Sequence, residues 1–445
     1  MAKTNLVYVC NNCGQEHNRW SGRCVACGEW NSLKEFHVSK EQSKKQWDAK
    51  PPIPLSKISI KNEQRIPTTM SEFDRVLGGG IVGGSVVLLG GDPGIGKSTL
   101  LLSAANEIAN KHNVLYISGE ESLSQIKMRA TRLSAENESL LVLQETVLEQ
   151  VIATILEIKP DLVVIDSVQT ILSANLPSIP GSISQLKETT SRLIEIAKRE
   201  GIPMVLIGHV TKDGGIAGPK VLEHLVDVVL YLEGTREDEF RVLKSVKNRF
   251  GATNEVGLFL MRGDGLVEVT NPSEMFIERD TKKVPGTSIT ASMEGNRIFL
   301  VELQALVSQT HFGYPKRSVS GFSLSRLNLL VAVLSKRLGF KLPVYDIYLN
   351  AVGGFRVREA AADFAASMAV ASAFLNKALP SRSLFIGEVG LSGEIRNVRY
   401  MDKRIEEASK LGFDTIVVPK SAKLDKKENV LKVYNLKEAI DELLK

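Results

Sequence analysis

Eight consecutive residues have the types and the spacing that bind the phosphates of a nucleotide. They form the stretch G91-D-P-G-I-G-K-S98, which Thr99 follows. Glycines let backbone amides converge on phosphate, the lysine reaches the β- and γ-phosphates, and the serine hydroxyl is a ligand for Mg²⁺. We therefore expect ATP and Mg²⁺ to bind here, on Gly91, Asp92, Pro93, Gly94, Ile95, Gly96, Lys97, Ser98 and Thr99.

Two apolar segments carry carboxylates that suit such a loop. L162-VVIDS167 contains Asp166, in the position of a carboxylate that orients magnesium through water. V114-LYISGEES122 contains Glu120 and Glu121, and a carboxylate beside the γ-phosphate can polarise the attacking water. We expect Glu120 to be the base, with Glu121 as the alternative. Two acids before a helix would also suit the helix dipole.

The four cysteines form two closely spaced pairs, Cys10-x2-Cys13 and Cys24-x2-Cys27. Four sulfur ligands in this spacing are typical of a closed tetrahedral Zn²⁺ site, which has no open position for catalysis. Two disulfides are the alternative. We disfavour them because no secretion signal is visible and the cytosol keeps thiols reduced. A segment this small depends on the metal for its folding.

A further stretch, L243-K-S-V-K-N-R-F-G251, reads as a β-strand that stops at its last glycine. Residues two apart on a strand point the same way, so Lys247 and Arg249 are expected to project side by side. The alternative is that Lys247 and Arg249 are simply two exposed basic residues at the end of a strand, without a catalytic role.

The elements that must position these residues follow from the apolar pattern. S85-VVLLG predicts a short strand before the phosphate loop, and T99-LLLSAANEIANK predicts a helix after it, with apolar residues at helical spacing. Strand, glycine loop and helix are the context that a phosphate-binding loop needs. The expected fold class is α/β.

Composition sets the broad class. With 445 residues, 43% hydrophobic and 24% charged, the chain is expected to be globular with two or three domains, neither disordered nor fibrous. It has no uncharged apolar run of membrane-spanning length and no signal peptide, so we expect a cytoplasmic protein without membrane contact. Residues 1–65 hold 11 Lys/Arg against 6 Asp/Glu, which suits an anionic partner or a solvated linker.

The stretch T68-TMSEFDRVLGGGIVGGSVVLLGGDPGIGKST99 resembles the entry to a RecA-type ATPase core. With the paired cysteines and K247-N-R-F-G251, it makes nearly the whole chain similar to the bacterial RadA (Sms) family of recombination and repair ATPases. The resemblance implies a small zinc ribbon, a linker, a RecA-like P-loop core and a C-terminal α+β Lon protease-like domain. We place these at residues 1–38, 39–66, 67–272 and 285–445, respectively.

The resemblance also implies roles for particular residues. In RecA-like rings a neighbouring protomer inserts cations toward the γ-phosphate, and Lys247 and Arg249 match those positions. Loops 173–185 and 211–224 correspond to the loops that grip single-stranded DNA, with Lys212 and Lys220 as phosphate contacts. His209 stands where RecA-like proteins often carry a glutamine that senses the γ-phosphate, and imidazole can still donate a hydrogen bond.

The last third resembles the proteolytic domain of Lon, with a strand at 346–357, a long helix at 358–377 and a hairpin at 384–399. Lon requires a serine nucleophile and a lysine base, whereas Ala361 and Asp402 align with them, so we expect no peptidase activity. The domain is expected to act as a ring scaffold and a further DNA surface. Its candidate cations are Lys316, Arg317, Arg326, Lys336, Arg337 and Lys341.

The function that the resemblance implies is a Mg-ATP-dependent motor on DNA. The expected assembly is a homohexamer that translocates on single-stranded DNA and drives branch migration of recombination intermediates with RecA. Single-stranded DNA, branched DNA and RecA are the expected partners. The alternative is a nucleotide-gated regulator that binds DNA or protein without motor activity.

Overall fold

The computed structural model describes residues 5–10, 14–38, 53–57, 65–209, 219–234, 239–270, 284–310, 313–424 and 429–444. The chain divides into two compact units, Met1–Val269 and Thr270–Lys445. The helices of the described residues are α1 (Ser71–Leu77), α2 (Lys97–Ala109), α3 (Leu123–Arg132), α4 (Leu148–Ile158), α5 (Ile183–Glu200), α6 (Leu324–Leu338), α7 (Asp363–Leu375), α8 (Met401–Lys410) and α9 (Leu436–Leu443).

The strands of the first unit begin with three short segments and continue into a large sheet. They are β1 (Asn5–Cys10), β2 (Glu16–His17), β3 (Leu33–Val38), β4 (Arg65–Ile66), β5 (Ile81–Val82), β6 (Val86–Gly91), β7 (Val114–Ser118), β8 (Leu140–Gln144), β9 (Leu162–Asp166), β10 (Met204–His209), β11 (Val228–Glu233), β12 (Phe240–Asn248), β13 (Val256–Arg262) and β14 (Gly265–Glu268). The strands β2, β1 and β3 form a small antiparallel sheet of their own.

Within the described ranges, the large sheet has nine strands in the order β14-β13-β12-β11-β6-β10-β9-β7-β8. The strands from β11 to β8 run parallel, whereas β12, β13 and β14 are antiparallel additions. Every residue of β6, β7 and β9 is buried, as expected of parallel strands that are covered on both faces. The predicted α/β class is confirmed, and the predicted strand from Leu162 to Asp166 has those bounds.

The carboxyl ends of the parallel strands meet at one edge of this sheet, which we call the carboxyl edge. It holds Gly91, Ser118, Asp166 and His209, the last residues of β6, β7, β9 and β10. Two apolar cores, one on each face of the sheet, fix the strands. The edge where β6 begins, at Val86, is called the amino edge.

The second unit is built on another mixed sheet, in the order β17-β18-β16-β15-β19-β22-β23. Its strands and those of a separate hairpin are β15 (Thr287–Glu294), β16 (Arg297–Gln309), β17 (Arg317–Ser320), β18 (Tyr345–Ala351), β19 (Ser383–Phe385), β20 (Glu388–Val389), β21 (Ile395–Arg396), β22 (Thr415–Pro419) and β23 (Val430–Val433). Helix α7 contacts β15 and β16, and its first ten residues are buried.

The structure corrects three element boundaries in this unit. The strand predicted over 346–357 ends at Ala351, and the helix predicted from residue 358 begins at Asp363, after a 3₁₀ turn at Ala360–Ala362. Glu359 bonds Arg404 and the backbone of Met293, so the chain there is tied to its neighbours before the helix starts. Only β20 and β21 form the predicted hairpin, because β19 joins the main sheet.

The two positions aligned with the Lon catalytic residues differ in their surroundings. Ala361 is buried in an apolar cluster that includes Met401 and Ile405. Asp402 is exposed in the first turn of α8. A methyl group and an exposed carboxylate supply neither the hydroxyl nucleophile nor the amine base of the Lon mechanism. In the described part of the chain, no helix has both the length and the apolar character that crossing a lipid bilayer requires.

Candidate nucleotide site and zinc centre

The predicted phosphate loop joins β6 to α2. Gly91, Gly94 and Gly96 have φ values of 153°, 77° and 113°, a region that favours glycine. A Cβ atom on Gly91 would lie 2.6 Å from the Leu232 carbonyl oxygen, so the backbone passes too closely for any side chain. Gly96 is the N-cap of α2 and has no side chain to cap it, which leaves the first-turn amides for phosphate.

Lys97 lies inside this loop, and its side chain is buried. Its Nζ donates to the carbonyl oxygens of Gly91 and Asp92, at 2.9 and 3.0 Å. Burial lowers the pKa of Lys97 to about 8, although the charges of Asp166, Asp92 and Glu120 oppose that shift. Ser98 and Thr99 follow in the first turn of α2, where both residues are partly buried. The loop therefore fits the phosphates of a nucleotide.

Asp166 lies at the carboxyl edge on β9, adjacent to β7, and is 5% exposed. The Tyr116 hydroxyl donates to Asp166 Oδ2 at 2.6 Å. This bond fixes one oxygen of the carboxylate. The charge of Asp166 also acts on Lys97, so the carboxylate and the loop lysine belong to one site.

Glu120 follows β7 at the same edge. The Ser167 hydroxyl donates to Glu120 Oε1 at 2.5 Å, and His209 Nε2 lies 3.4 Å from the same oxygen. The contact with His209 is the largest cause that lowers the pKa of Glu120 to about 2, and Ser167 and Lys97 add to it while burial opposes it. Glu120 is therefore ionised throughout the physiological range. His209, placed by sequence near the γ-phosphate, contacts the predicted base.

Glu121 is arranged differently from its neighbour. Arg129, on α3, donates a short hydrogen bond to Glu121 Oε1. Burial raises the pKa of Glu121, while Arg129 lowers it. Because Glu121 is bound by an arginine and Glu120 is bound by neutral groups and a histidine, the geometry favours Glu120 for contact with water.

The predicted cation pair, Lys247 and Arg249, lies near the amino edge of the sheet, whereas the phosphate loop lies at the carboxyl edge. Lys247 Nζ donates to the carbonyl oxygens of Glu223, His224 and Val226, between 2.7 and 3.3 Å. Arg249 Nη1 donates to Asp227 Oδ1 at 3.0 Å, and its side chain is 52% exposed.

Asp227 locates this pair at the amino edge. Its backbone amide donates to the Val86 carbonyl, and its Oδ2 accepts the Val86 amide at 3.1 Å. Val86 is the first residue of β6, and the phosphate loop begins at the other end of that strand. Lys247 and Arg249 therefore do not approach the nucleotide site of their own chain.

The predicted DNA loops are described in part. Lys220 is exposed in a 3₁₀ turn at Pro219–Val221, whereas Lys212 lies outside the described residues. The first loop, after β9, is anchored by Gln185, whose amide group contacts the backbone at Ser173, Leu176 and Ser178.

Three of the candidate C-terminal cations have partners within the second unit. Arg326 pairs with the buried Asp363, Arg317 donates to Asn328, and Arg337 donates to the Leu391 carbonyl. Burial raises the pKa of Asp363, and the bond from Arg326 opposes that shift. Arg326 thus ties α6 to the start of α7.

The zinc centre is formed by the first sheet and its turns. The Sγ atoms of Cys10, Cys24 and Cys27 lie within 4.8 Å of one another, and Cys13 lies outside the described residues. Cys10 and Cys27 are 3.6 Å apart at sulfur. A disulfide needs about 2.05 Å, whereas sulfurs on one tetrahedral zinc are about 3.8 Å apart for bonds of about 2.3 Å. The cysteine arrangement fits zinc.

The two cysteine turns repeat the same backbone pattern. The Gly14 amide donates to the Cys10 carbonyl and the Gly28 amide donates to the Cys24 carbonyl, each at 2.8 Å. Both glycines have positive φ, at 72° and 77°, a conformation that tight turns often require and that glycine adopts without strain.

Several residues of the nucleotide site have no signal in the local sequence. Tyr116 and Arg129 reach Asp166 and Glu121 only because of the strand order and the placement of α3. Arg241, 4% exposed on β12, donates to the Ile95 carbonyl and so supports the phosphate loop from another strand. Ser167 is the exception, since it directly follows the predicted Asp166 and its hydroxyl could have been considered.

Comparison with known proteins supports the assignment of each part. The family described as "AAA domain" matches residues 55–215, "Rubredoxin metal binding domain" matches 8–35, and "Subunit ChlI of Mg-chelatase" matches 313–422. The nucleotide site lies in the first of these regions, and the cysteine centre lies in the second. The chain thus contains a P-loop ATPase domain and a metal-binding zinc ribbon.

Full-length relatives give the same result. The chain is 48% identical over 453 residues to "DNA repair protein RadA" of Bacillus subtilis, covering 99% of both chains. It is 48% identical to the protein of that name from Listeria monocytogenes, covering 100% of this chain and 99% of the relative. A Streptococcus pyogenes protein of the same name is 45% identical, covering 95% and 94%. The chain belongs to the RadA family of DNA repair proteins.

Proposed function

We propose that the protein is a Mg-ATP-dependent, DNA-stimulated ATPase of homologous recombination, whose active site is completed by a neighbouring copy. The observation that carries this proposal is the position of Lys247 and Arg249 at the amino edge, while Lys97 lies at the carboxyl edge. Cations there can meet a γ-phosphate only on another copy, which is the geometry expected of a ring or filament with nucleotide between protomers.

The residues at the carboxyl edge divide the work of hydrolysis. Amides of the glycine loop and Lys97 hold the phosphates, and Ser98 and Asp166 would hold Mg²⁺, which neutralises phosphoryl charge when bound. Glu120, ionised and oriented by Ser167 and His209, accepts a hydrogen bond from the attacking water. Lys247 and Arg249 of the neighbouring copy balance the charge that spreads over the phosphoryl oxygens.

The DNA-directed part of the proposal rests on the loops after β9 and β10. Both loops begin at the carboxyl edge, where β9 and β10 end, so each starts on the side of the sheet that holds the phosphate loop. Lys212 and Lys220 are the proposed contacts to the phosphate backbone of single-stranded DNA, a sequence-independent interaction. His209 ends β10, which makes it the link between Glu120 and the second loop.

At the level of the cell, we propose a cytoplasmic homohexamer that translocates on single-stranded DNA and promotes branch migration of recombination intermediates with RecA. This part is supported by membership of the family and by the position of Lys247 and Arg249 at the amino edge. The C-terminal unit would then serve assembly and DNA contact without peptidase activity, which is supported by Ala361 and Asp402.

The decisive test measures the ATPase rate with and without single-stranded DNA for wild type, Lys97→Ala and Lys247→Ala. We expect DNA to stimulate wild type, Lys97→Ala to lose nucleotide binding, and Lys247→Ala to bind ATP without turnover. Lys111→Ala, at an exposed lysine after α2, is the control and keeps the wild-type rate. DNA-stimulated ATPase without unwinding of a forked substrate would support the regulator alternative, and full turnover by Lys247→Ala would contradict the proposed site.

A further inference from the structure

Three carboxylates converge at the carboxyl edge beside a single loop lysine. Glu120 and Glu121 follow β7, and Asp166 ends the adjacent β9. The negative charges of Asp166 and Glu120 both act on Glu121. Like charges this close repel one another in a partly buried site. The arrangement therefore needs a further cation if all three groups are to stay ionised.

Arg129 is that cation. It lies on α3, 18% exposed, and bonds Glu121 Oε1 through Nη2. Its Nη1 lies 4.0 Å from Asp166 Oδ2, the oxygen that also accepts the Tyr116 hydroxyl. One guanidinium thus contacts one carboxylate and faces the second, which is the geometry for which a planar fork of donors is suited.

Two atoms of this contact have spare bonding capacity. Arg129 Nη1 and Glu121 Oε2 are buried and have no hydrogen-bond partner among the described residues. Buried polar atoms are normally satisfied, so each such atom requires an explanation. Both lie in the group around Asp166, where water and the metal-nucleotide are proposed to sit.

Helix α3 holds Arg129 in place. Its N-cap, Ser122, directly follows Glu121, and Ser122 and Gln125 form a reciprocal capping box. Ile126 and Ala130 bury the inner face of the helix. The helix start is fixed immediately after Glu121, and Arg129 lies two turns further along the helix. From there its side chain reaches back toward the start of the helix and bonds the Glu121 carboxylate.

We propose that Arg129 is a positioning residue of the ATPase reaction, which holds Glu121 away from the nucleotide and braces Asp166, so that Glu120 alone meets the attacking water. This inference rests on the proposed hydrolysis at the same site. Without Arg129, Glu121 is a mobile carboxylate next to both Glu120 and Asp166. It then competes for water and for Mg²⁺.

The charges around Glu121 predict a pH signature. The titratable and charged groups of the cluster are Glu120, Asp166, Arg129, Lys97, Tyr116 and His209. Burial, Asp166 and Glu120 raise the pKa of Glu121, and Arg129 lowers it. Removing Arg129 therefore raises the pKa of Glu121 further. Protonation of Glu121 then removes the competing charge, so the loss of kcat caused by removing Arg129 should become smaller as pH falls.

The test compares Arg129→Gln with Lys127→Gln in the full chain. Lys127 lies on the same helix, pairs with Glu136 at the surface and provides the same change of charge. We expect Arg129→Gln to lower kcat at least about tenfold near neutral pH, to raise the Mg²⁺ concentration for half-maximal rate and to show a kcat deficit relative to wild type that shrinks as pH falls. Lys127→Gln should match wild type in all three. Binding of fluorescent ADP without Mg²⁺ should survive in both variants and reports that the core is folded.

The double variant Arg129→Gln/Glu121→Gln separates positioning from a structural role. If Arg129 acts by restraining the Glu121 charge, removal of that charge restores most of the lost kcat, which is a coupling that a packing defect does not show. Equal rates for Arg129→Gln and Lys127→Gln, or a double variant as slow as Arg129→Gln, would overturn the proposal. Glu120→Gln tests the underlying assignment separately, because its full activity would refute Glu120 as the base whatever Arg129 does.

Discussion

Lys97 and Arg249 lie at opposite edges of one sheet. Lys97 bonds Gly91, the last residue of β6, and Arg249 bonds Asp227, which is paired with Val86, the first residue of that strand. Five residue steps of parallel strand correspond to about 16 Å. In the site that we propose, Lys97 and Arg249 would act on one phosphoryl group only when two copies of the chain bring these opposite edges together.

The lowered pKa of the buried Lys97 predicts that the protein binds ATP less well at high pH. The pKa of about 8 means that the free protein loses this charge as pH rises through 8, where an ordinary lysine keeps it to above 10. We expect kcat/KM for ATP to fall above about pH 8, with less change in kcat because bound phosphates stabilise the cation. Steady-state kinetics from pH 7 to 10 measure this, and a kcat/KM that stays level to pH 10 would argue against it.

The contact between His209 and Glu120 predicts how kcat changes at low pH. Glu120, with a pKa of about 2, stays ionised as pH falls from 7 to 5. His209→Ala removes the largest cause of that low value, so the pKa of Glu120 rises and kcat begins to fall at a higher pH. His209→Gln, which keeps a donor, should preserve more of the profile, and His112→Ala is the control. Identical kcat profiles for wild type and His209→Ala would contradict the role of His209.

The zinc ribbon can be followed selectively by fluorescence. All three tryptophans of the chain, Trp20, Trp30 and Trp47, lie in its first 47 residues. Chelation of zinc, or Cys24→Ser, should change the tryptophan spectrum because the ribbon unfolds without its metal. Binding of an ATP analogue should persist, since the phosphate loop lies elsewhere. Wild-type protein should contain one zinc per chain, and an unchanged spectrum after complete removal would show that the metal does not hold the ribbon.

The pair formed by the buried Arg404 and the partly buried Glu359 should contribute to the stability of the second unit. Arg404 is 1% exposed, bonds both carboxylate oxygens at 2.7 Å and also donates to the Ala291 carbonyl. Arg404→Ala leaves Glu359 without its partner, at a cost of about 3–5 kcal/mol in the free energy of unfolding. Hydrogen exchange of peptides from α7 and β15 under urea measures it. Lys403→Ala, at an exposed neighbour, should leave exchange unchanged, and equal exchange in the two variants would refute the assignment.

Local motifs predict the parts of the site that are continuous in sequence. The phosphate loop, the strand ending in Asp166 and the cysteine turns each depend on neighbouring residues, and the structure places them as expected where it describes them. The location of Lys247 at the amino edge requires the pairing of β12 with β11, and a register shift beside Lys247 interrupts the simple alternation on which its predicted direction was based.

Contacts between distant elements could not be predicted in this way. Tyr116 meets Asp166 because β7 and β9 are neighbours in the sheet, and Arg129 meets both carboxylates only once α3 is placed. In the second unit, alanines predict helix from residue 358, but the buried Arg404 holds Glu359 and delays the start to Asp363. Such long-range pairs are fixed by strand order, which a single apolar pattern does not encode.

The most direct test of the account mixes two inactive variants. Lys97→Ala lacks a working phosphate loop but keeps Lys247 and Arg249, whereas Lys247→Ala keeps the loop and lacks half of the cation pair. If hydrolysis joins the loop of one copy to the cations of another, the mixture should recover ATPase activity with single-stranded DNA, highest near equal proportions. A mixture as inactive as its components, or full activity of Lys247→Ala alone, would contradict a site shared between copies.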